Sequence, residues 1–268
     1  MQPSLRKRFE NAVQKGERVL GAWMQLRDPG IAEIYASMGY DFCCMDLEHG
    51  SIGRETAADC IRALRGTTTA GMVRIGKQDS HLIASALEDG AQGLVIPMIR
   101  HAADAKDAVR AAQYGGARGV GYNIANGHGR LFDEYLQIAD ENLTMIMQIE
   151  NRDAIDDLEN ICKVPGVQGC IIGPYDLSNS YGHPGDFSCP EMVAALDKYL
   201  DVCGRCGVAA GMHIVVPTKV LIDETFDKGY RWAALGLDNV SLWQQAVANL
   251  EFAGRTPQTK LPESWRFG

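Results

Sequence analysis

Residues 40–50 read YDFCCMDLEHG. Apart from Asp41, the run from Tyr40 to Met45 is apolar, and three ionisable groups follow it at once: Asp46, Glu48 and His49. A short apolar run that does not alternate with polar residues is the pattern of a parallel strand covered on both faces. Ionisable groups at its carboxyl end fall where α/β enzymes keep their chemistry.

The same pattern recurs seven times: LGAWMQ (20–25), AGMVRI (70–75), QGLVIPM (92–98), LTMIMQIE (143–150), GCIIGP (169–174), AAGMHI (209–214) and RWAALG (231–236). Stretches with helical spacing follow at 31–39, 54–65, 79–90, 101–113, 151–163, 190–206, 218–229 and 239–252. Several open on Asp, Asn or Thr and end near Gly, the usual caps. Eight strand–helix units predict an α/β protein, a (β/α)8 barrel with a parallel eight-stranded sheet, as one domain over 1–268 with a polar C-terminal tail from about 255.

Residues 115–133, GGARGVGYNIANGHGRLFD, interrupt the rhythm with six glycines. A long loop in a compact domain is often functional, which makes this one a candidate for the barrel mouth. Its glycines do not form G-x-G-x-x-G at the start of a helix, which argues against dinucleotide binding. GLDN (236–239) reads either as an anion-binding turn or as a helix start capped at Asp238 or Asn239.

Composition bounds the function. Hydrophobic residues make up 46% and charged residues 22%, which is ordinary globular usage. A net charge of -8 and a pI near 5.3 exclude a protein built to bind nucleic acid. No apolar run reaches the roughly 20 residues of a membrane span, and the N-terminus has no signal-peptide core; a cytoplasmic protein is expected. The eight cysteines fall mostly in apolar segments and are expected as reduced, buried thiols. Cys203 and Cys206 form a lone C-x-x-C, expected to serve helix packing.

In a barrel, groups at the carboxyl ends of different strands converge on one mouth. The second strand supplies Asp46, Glu48 and His49, the third Arg74, the fifth Gln148 and Glu150, and the sixth Asp176. Glu150 and Asp176 are hard oxygen donors suited to Mg²⁺, Mn²⁺ or Co²⁺, although each also reads as the cap of a following helix. His49 is a proton carrier near neutral pH, with Asp46 expected to orient it once the chain turns after Leu47; it also reads as a cap or loop residue. Arg74 is built to grip a carboxylate and stabilise an oxyanion, or to close a salt bridge with Asp46 or Glu48. No strand candidate contains the lysine of a Schiff-base aldolase, so a metal is the expected electron sink.

At these residues the chain resembles the HpcH/HpaI family of class II pyruvate aldolases, which includes 4-hydroxy-2-oxoheptanedioate aldolase. The resemblance runs in order through GAWMQLRDP, D-x-E-H-G, M-V-R, GLVIPM, GARGVG, Q-I-E, GPYDLSNSYG, AAGMH and ALGLD. It implies a divalent metal on Glu150 and Asp176, pyruvate and its enolate on Arg74, an acid–base dyad of Asp46 and His49, and Gln148 lining the pocket. The implied reaction is cleavage of a 4-hydroxy-2-oxo acid to pyruvate and an aldehyde, in a homo-oligomer, commonly a hexamer with helix exchange. Pro174, Tyr175 and His213 complete the expected substrate-binding set; Tyr175 and His213 depart from the family, which has a small and an aliphatic residue there. The alternatives are oxaloacetate decarboxylation or another pyruvate-enolate reaction on the same site, and a non-catalytic oxo-acid-binding barrel.

Overall fold

Eight parallel strands close on themselves in sequence order in the computed structural model, which describes residues 3–259 and 262. They are β1 (Val19–Met24), β2 (Phe42–Asp46), β3 (Ala70–Arg74), β4 (Gly93–Ile99), β5 (Thr144–Ile149), β6 (Gly169–Ile172), β7 (Ala209–Ile214) and β8 (Trp232–Leu235), with β8 pairing back onto β1. The helices are α1 (Leu5–Lys15), α2 (Pro29–Met38), α3 (Arg54–Ala63), α4 (Ser80–Glu88), α5 (Ala102–Ala112), α6 (Phe132–Asn142), α7 (Arg152–Asp156), α8 (Leu158–Cys162), α9 (Pro174–Ser180), α10 (Pro190–Cys206), α11 (Lys219–Asp227) and α12 (Asp238–Phe252). This is the expected (β/α)8 barrel. Among the described residues no helix is long and apolar enough to cross a membrane.

Side-chain alternation along the strands sorts the core into two layers. The inward positions Trp23, Phe42, Cys44, Met72, Val95, Ile146, Ile171, Ala209 and Trp232 fill the barrel, and Leu5, Phe9 and Ala12 of α1 close its lower end. The outward positions, among them Met24, Met45, Val73, Leu94, Met147, Cys170 and Ile172, pack against the helices. Gly211 makes room for the barrel filling: a Cβ there would sit 1.9 Å from the Trp232 ring. The alternation that points Phe42 and Cys44 inward does the same for Asp46, and the register sets Asp46 opposite Arg74 at the upper end of β2 and β3.

Local signals account for most boundaries. Asp28 caps α2 ahead of Pro29, Asp79 accepts from two backbone N–H groups of α4, and Thr218 caps α11. Two helices, α1 and α6, were not expected from the sequence; α9 is the helix that the capping reading of Asp176 implied, with Asp176 inside its first turn. The helix expected over 151–163 is two short ones, broken at Asp157, because its carboxylate accepts from the Ala102 N–H at 2.7 Å and from Asn160 at 2.6 Å.

The glycine-rich segment 115–133 lies away from the carboxyl ends of the strands. Arg65 Nη2 donates to the Ile124 carbonyl and the Ala125 N–H to the Glu88 carbonyl. These contacts hold it at the lower end of the barrel, beside a cavity of about 940 Å³ lined by Leu5, Arg65, Gln92, Arg118 and Tyr135. GLDN is a helix start: Asp238 is the first residue of α12, and its carboxylate ties β8 to β1 by accepting from the Gln25 and Leu26 N–H groups, each at 2.9 Å. The polar tail is described to residue 259 and at 262; the rest of it lies outside the described residues.

Candidate active site

The mouth is organised around Asp46 and Arg74. Asp46 is fully buried. It accepts from Arg74 Nε at 2.8 Å and Nη2 at 2.5 Å, from Gln25 Nε2 at 2.8 Å, and from the backbone N–H groups of Glu48 and His49 at 3.1 Å each. Burial alone would raise its carboxyl, but the hydrogen bonds and charge of Arg74, with Gln25, hold it well below the usual carboxylate range. Arg74 Nη1 reaches Glu48 Oε2 at 3.0 Å and Gln148 Oε1 at 3.3 Å. Three of the five guanidinium N–H groups are thus hydrogen-bonded, and Glu48 adds an ion pair.

Glu150, at the end of β5, is also buried. Its Oε1 accepts from the Met98 N–H at 2.6 Å, and its Oε2 from Gln148 Nε2 at 2.5 Å. Met98 can aim its N–H there because β4 bulges between Ile96 and Ile99, placing Met98 at φ 59°. Burial raises the Glu150 carboxyl against these two hydrogen bonds, and the charges of Glu48 and Asp176 raise it further. Glu48 is likewise raised, chiefly by burial, with Arg74 opposing.

The mouth offers oxygen donors of the kind a hard divalent cation takes, although among the described residues only the sulfurs of Cys162, Cys170 and Cys203 stand close enough together to form a ready-made ligand group. Glu48, Glu150 and Asp176 gather negative charge at a partly dry mouth whose guanidinium is already paired with Asp46. Gly173 leaves a cradle beside Glu150: a Cβ there would lie 2.8 Å from the Glu150 Cβ and 3.1 Å from its Oε2. Asp176 is exposed, in the first turn of α9 and not at the end of β6 itself.

His49 stands apart from the expected dyad. The chain does turn after Leu47, but Asp46 receives the backbone N–H of His49, and the ion-pair partner of the ring is Glu48, with Oε2 4.0 Å from Nε2. The ring is 60% exposed. Asp46 is committed to Arg74 and Gln25, so the carboxylate available to the imidazole is Glu48. The salt-bridge reading of Arg74 is the one seen, with both Asp46 and Glu48 as partners.

His213 projects from β7 and stacks on Trp23 with ring centroids 4.9 Å apart; its Nε2 lies 2.9 Å from the Gly236 carbonyl oxygen. Arg74 lies over the same indole, 5.1 Å from its centroid. Burial, with help from the Arg74 charge and against the Gly236 hydrogen bond, lowers His213 from the ordinary 6.5 to about 4. A histidine kept neutral in the fold contributes stability that is present above its unfolded pKa and is lost as the pH falls through the folded one. The wild type is therefore expected to lose thermal stability between pH 6.5 and about 4 more steeply than His213→Leu; parallel melting curves across that window would contradict this.

Pro174 opens α9, and the half-exposed Tyr175 packs edge-on against Phe187 at 5.1 Å, placing both at the lip of the mouth. Of the expected residues, Asp46, Arg74, Gln148 and Glu150 share one hydrogen-bond network, and His213 joins them through Trp23. Glu48 as the ring partner of His49, with Trp23, Gln25 and Met98, was missed from the sequence. Gln25 ends its strand as Glu150 does, and that signal was readable; the contacts of Trp23 and the Met98 N–H were not.

The fold and mouth thus define a (β/α)8 barrel with an acid-rich catalytic-type site around the Arg74 guanidinium. The family profile described as HpcH/HpaI aldolase/citrate lyase matches residues 19–244, and the chain belongs to that family. It is 34% identical over 244 residues to a hydroxypyruvate/pyruvate aldolase of Sagittula stellata, covering 90% of this chain and 95% of the relative. It is 32% identical over 243 residues to a 4-hydroxy-2-oxo-heptane-1,7-dioate aldolase of Escherichia coli, covering 90% and 92%. A crystal structure of an HpcH/HpaI aldolase/citrate lyase family protein from Burkholderia cenocepacia superposes with a TM-score of 0.87 at 29% identity, covering 93% of this chain and 99% of the other. These relatives support a lyase of the aldolase kind.

Proposed function

We propose that the chain is a divalent-metal-dependent aldolase that reversibly cleaves a 4-hydroxy-2-oxo acid to pyruvate and an aldehyde. The observation that carries this reading is the single network joining Asp46, Arg74, Gln148 and Glu150, with Glu48, at the carboxyl end of the barrel. Glu150 and Asp176 would hold Mg²⁺, Mn²⁺ or Co²⁺, which supplies Lewis acidity toward the 2-oxo group. Arg74 offers its remaining N–H, and those exchanged from Glu48 and Gln148, to the substrate carboxylate and to the oxygen on which enolate charge grows. Asp46 fixes the guanidinium. His49, exposed beside Glu48, takes the C4 hydroxyl proton; C3–C4 breaks with its electron pair left on the pyruvate fragment, C4 becomes the aldehyde carbon, and a proton returns to C3.

Pyruvate release from a panel of 4-hydroxy-2-oxo acids and oxaloacetate tests this, with chelated enzyme and after metal restoration. Metal-restored cleavage of a hydroxy-oxo acid is expected, with His49→Ala lowering turnover by about 10²–10⁴-fold, the usual worth of a general base. The solvent exposure of the His49 ring favours one competing reading, oxaloacetate decarboxylation, which needs no C4-hydroxyl base. Activity on oxaloacetate alone, indifferent to His49, would select it.

The chain is further proposed to work as a homo-oligomer, a hexamer by family resemblance. α12 buries only Asp238 and Val240 on its own chain, while Leu242, Trp243, Leu250 and Phe252 are 63%, 44%, 41% and 85% exposed. Light scattering showing a monomer would contradict this. The eight free cysteines support a reducing, cytoplasmic setting.

A further inference from the structure

Three of the eight cysteines meet at one point between the barrel and its helices, and a fourth stands one helical turn away. Cys162 ends α8, Cys170 lies on the outward face of β6, and Cys203 and Cys206 stand one turn apart at the end of α10. The sulfurs of Cys162, Cys170 and Cys203 are buried and all lie within 4.8 Å of one another. Cys206, partly exposed, stands one helical turn beyond Cys203 on the side of Cys162. We propose that the three buried thiols, with Cys206 turning in from one helical turn away as the fourth ligand, form a tetrahedral site for a thiophilic divalent cation, best matched by zinc, separate from the carboxylates of the mouth.

Zn–S bonds of about 2.3 Å place tetrahedral sulfurs roughly 3.8 Å apart. The three buried sulfurs therefore need to draw together by no more than about 1 Å. The i, i+3 spacing of Cys203 and Cys206 sets both on one face of α10, and the negative end of that 17-residue helix points at the site. Lys163 and Arg205 stand near Cys206 with Glu159, to which both are paired, so this group adds one net positive charge beside the site. A set of sulfurs without a hard oxygen ligand selects zinc over Mg²⁺ or Ca²⁺. Binding releases the thiol protons, so it is favoured by rising pH. The ion would pin α8 and α10 to β6, the strand that leads into Gly173 and Asp176. Simple packing of four small apolar thiols is the alternative, and it predicts no bound metal.

The test is metal content per chain, by elemental mass spectrometry, of protein produced with zinc and dialysed against EDTA, together with the absorption spectrum after cobalt substitution. About one zinc per chain is expected to survive dialysis, as expected of a closed structural site, in the wild type and also in Glu150→Gln/Asp176→Asn, which keeps the result independent of the aldolase reading. It should be lost in Cys162→Ser/Cys203→Ser, and thiolate-to-cobalt charge-transfer bands should disappear with it. Cys206→Ser, at the partly exposed position, keeps the test open if the buried variant does not fold; it should weaken zinc retention and shift the cobalt bands. Zinc-free wild type after dialysis, a disulfide among the four, or Cys206→Ser identical to wild type in both readouts would overturn the proposal.

Discussion

Arg74→Ala is expected to lower kcat/KM for pyruvate-forming cleavage on the order of 10³-fold, the upper range for removing one oxyanion donor. The same change should cost about 3 kcal/mol in urea unfolding, because it strands a buried carboxylate. The reasoning starts from burial: Asp46 has no solvent access, and two of its five donors come from Arg74. Arg74→Lys restores a charge but not the fork, since an ammonium is a point donor and cannot meet both Asp46 oxygens while also reaching Glu48 and Gln148. It should recover most of the stability and little of the activity, with the residual loss in KM for the oxo acid. Partial rescue of Arg74→Ala turnover by added guanidinium would assign the loss to the missing fork. Full activity in the lysine variant would assign Arg74 to the scaffold alone.

Glu150→Gln is the second large effect. The side chain keeps its volume and one of its two hydrogen bonds, but it can no longer both accept from Met98 and Gln148 and offer an anionic oxygen to a cation. The expected loss in metal-supported turnover is about 10²–10³-fold, corresponding to several kcal/mol of Lewis-acid stabilisation. Binding to the native state stabilises it by mass action, so Mn²⁺ should raise the melting temperature of the wild type and leave that of Glu150→Gln unmoved. Equal metal-induced shifts in both proteins would remove Glu150 from the ligand set.

Much of this fold was legible before any coordinate. The strands are short, non-alternating apolar runs because both faces are covered, and that pattern marks parallel barrel strands within a residue or two. The strand ends revealed the site for the same reason: the carboxyl end is where polar side chains are tolerated, so Arg74 and Glu150 stand out against the apolar residues before them. What failed depends on contacts distant in sequence. Asp157 breaks a helix to cap α5. α6 has no buried residue to give it a strong apolar stripe. The side chain of His49 was assigned to Asp46 because spacing cannot say that Arg74, Gln25 and two backbone N–H groups have already filled that carboxylate. The C-x-x-C read as ordinary packing because Cys162 and Cys170 join it only through the outward alternation of β6 and the end of α8.

The most direct measurement is exchange of the pyruvate methyl protons in D₂O, followed by proton NMR with enzyme and Mn²⁺ or Mg²⁺, because it reports enolate formation without requiring the identity of the aldehyde. Metal-dependent loss of the methyl signal is expected with the wild type, and its absence after chelation and in Arg74→Ala and Glu150→Gln. A methyl signal unchanged under conditions where pyruvate is shown to bind, or exchange that persists in both variants, would contradict a pyruvate-enolate enzyme built on these residues.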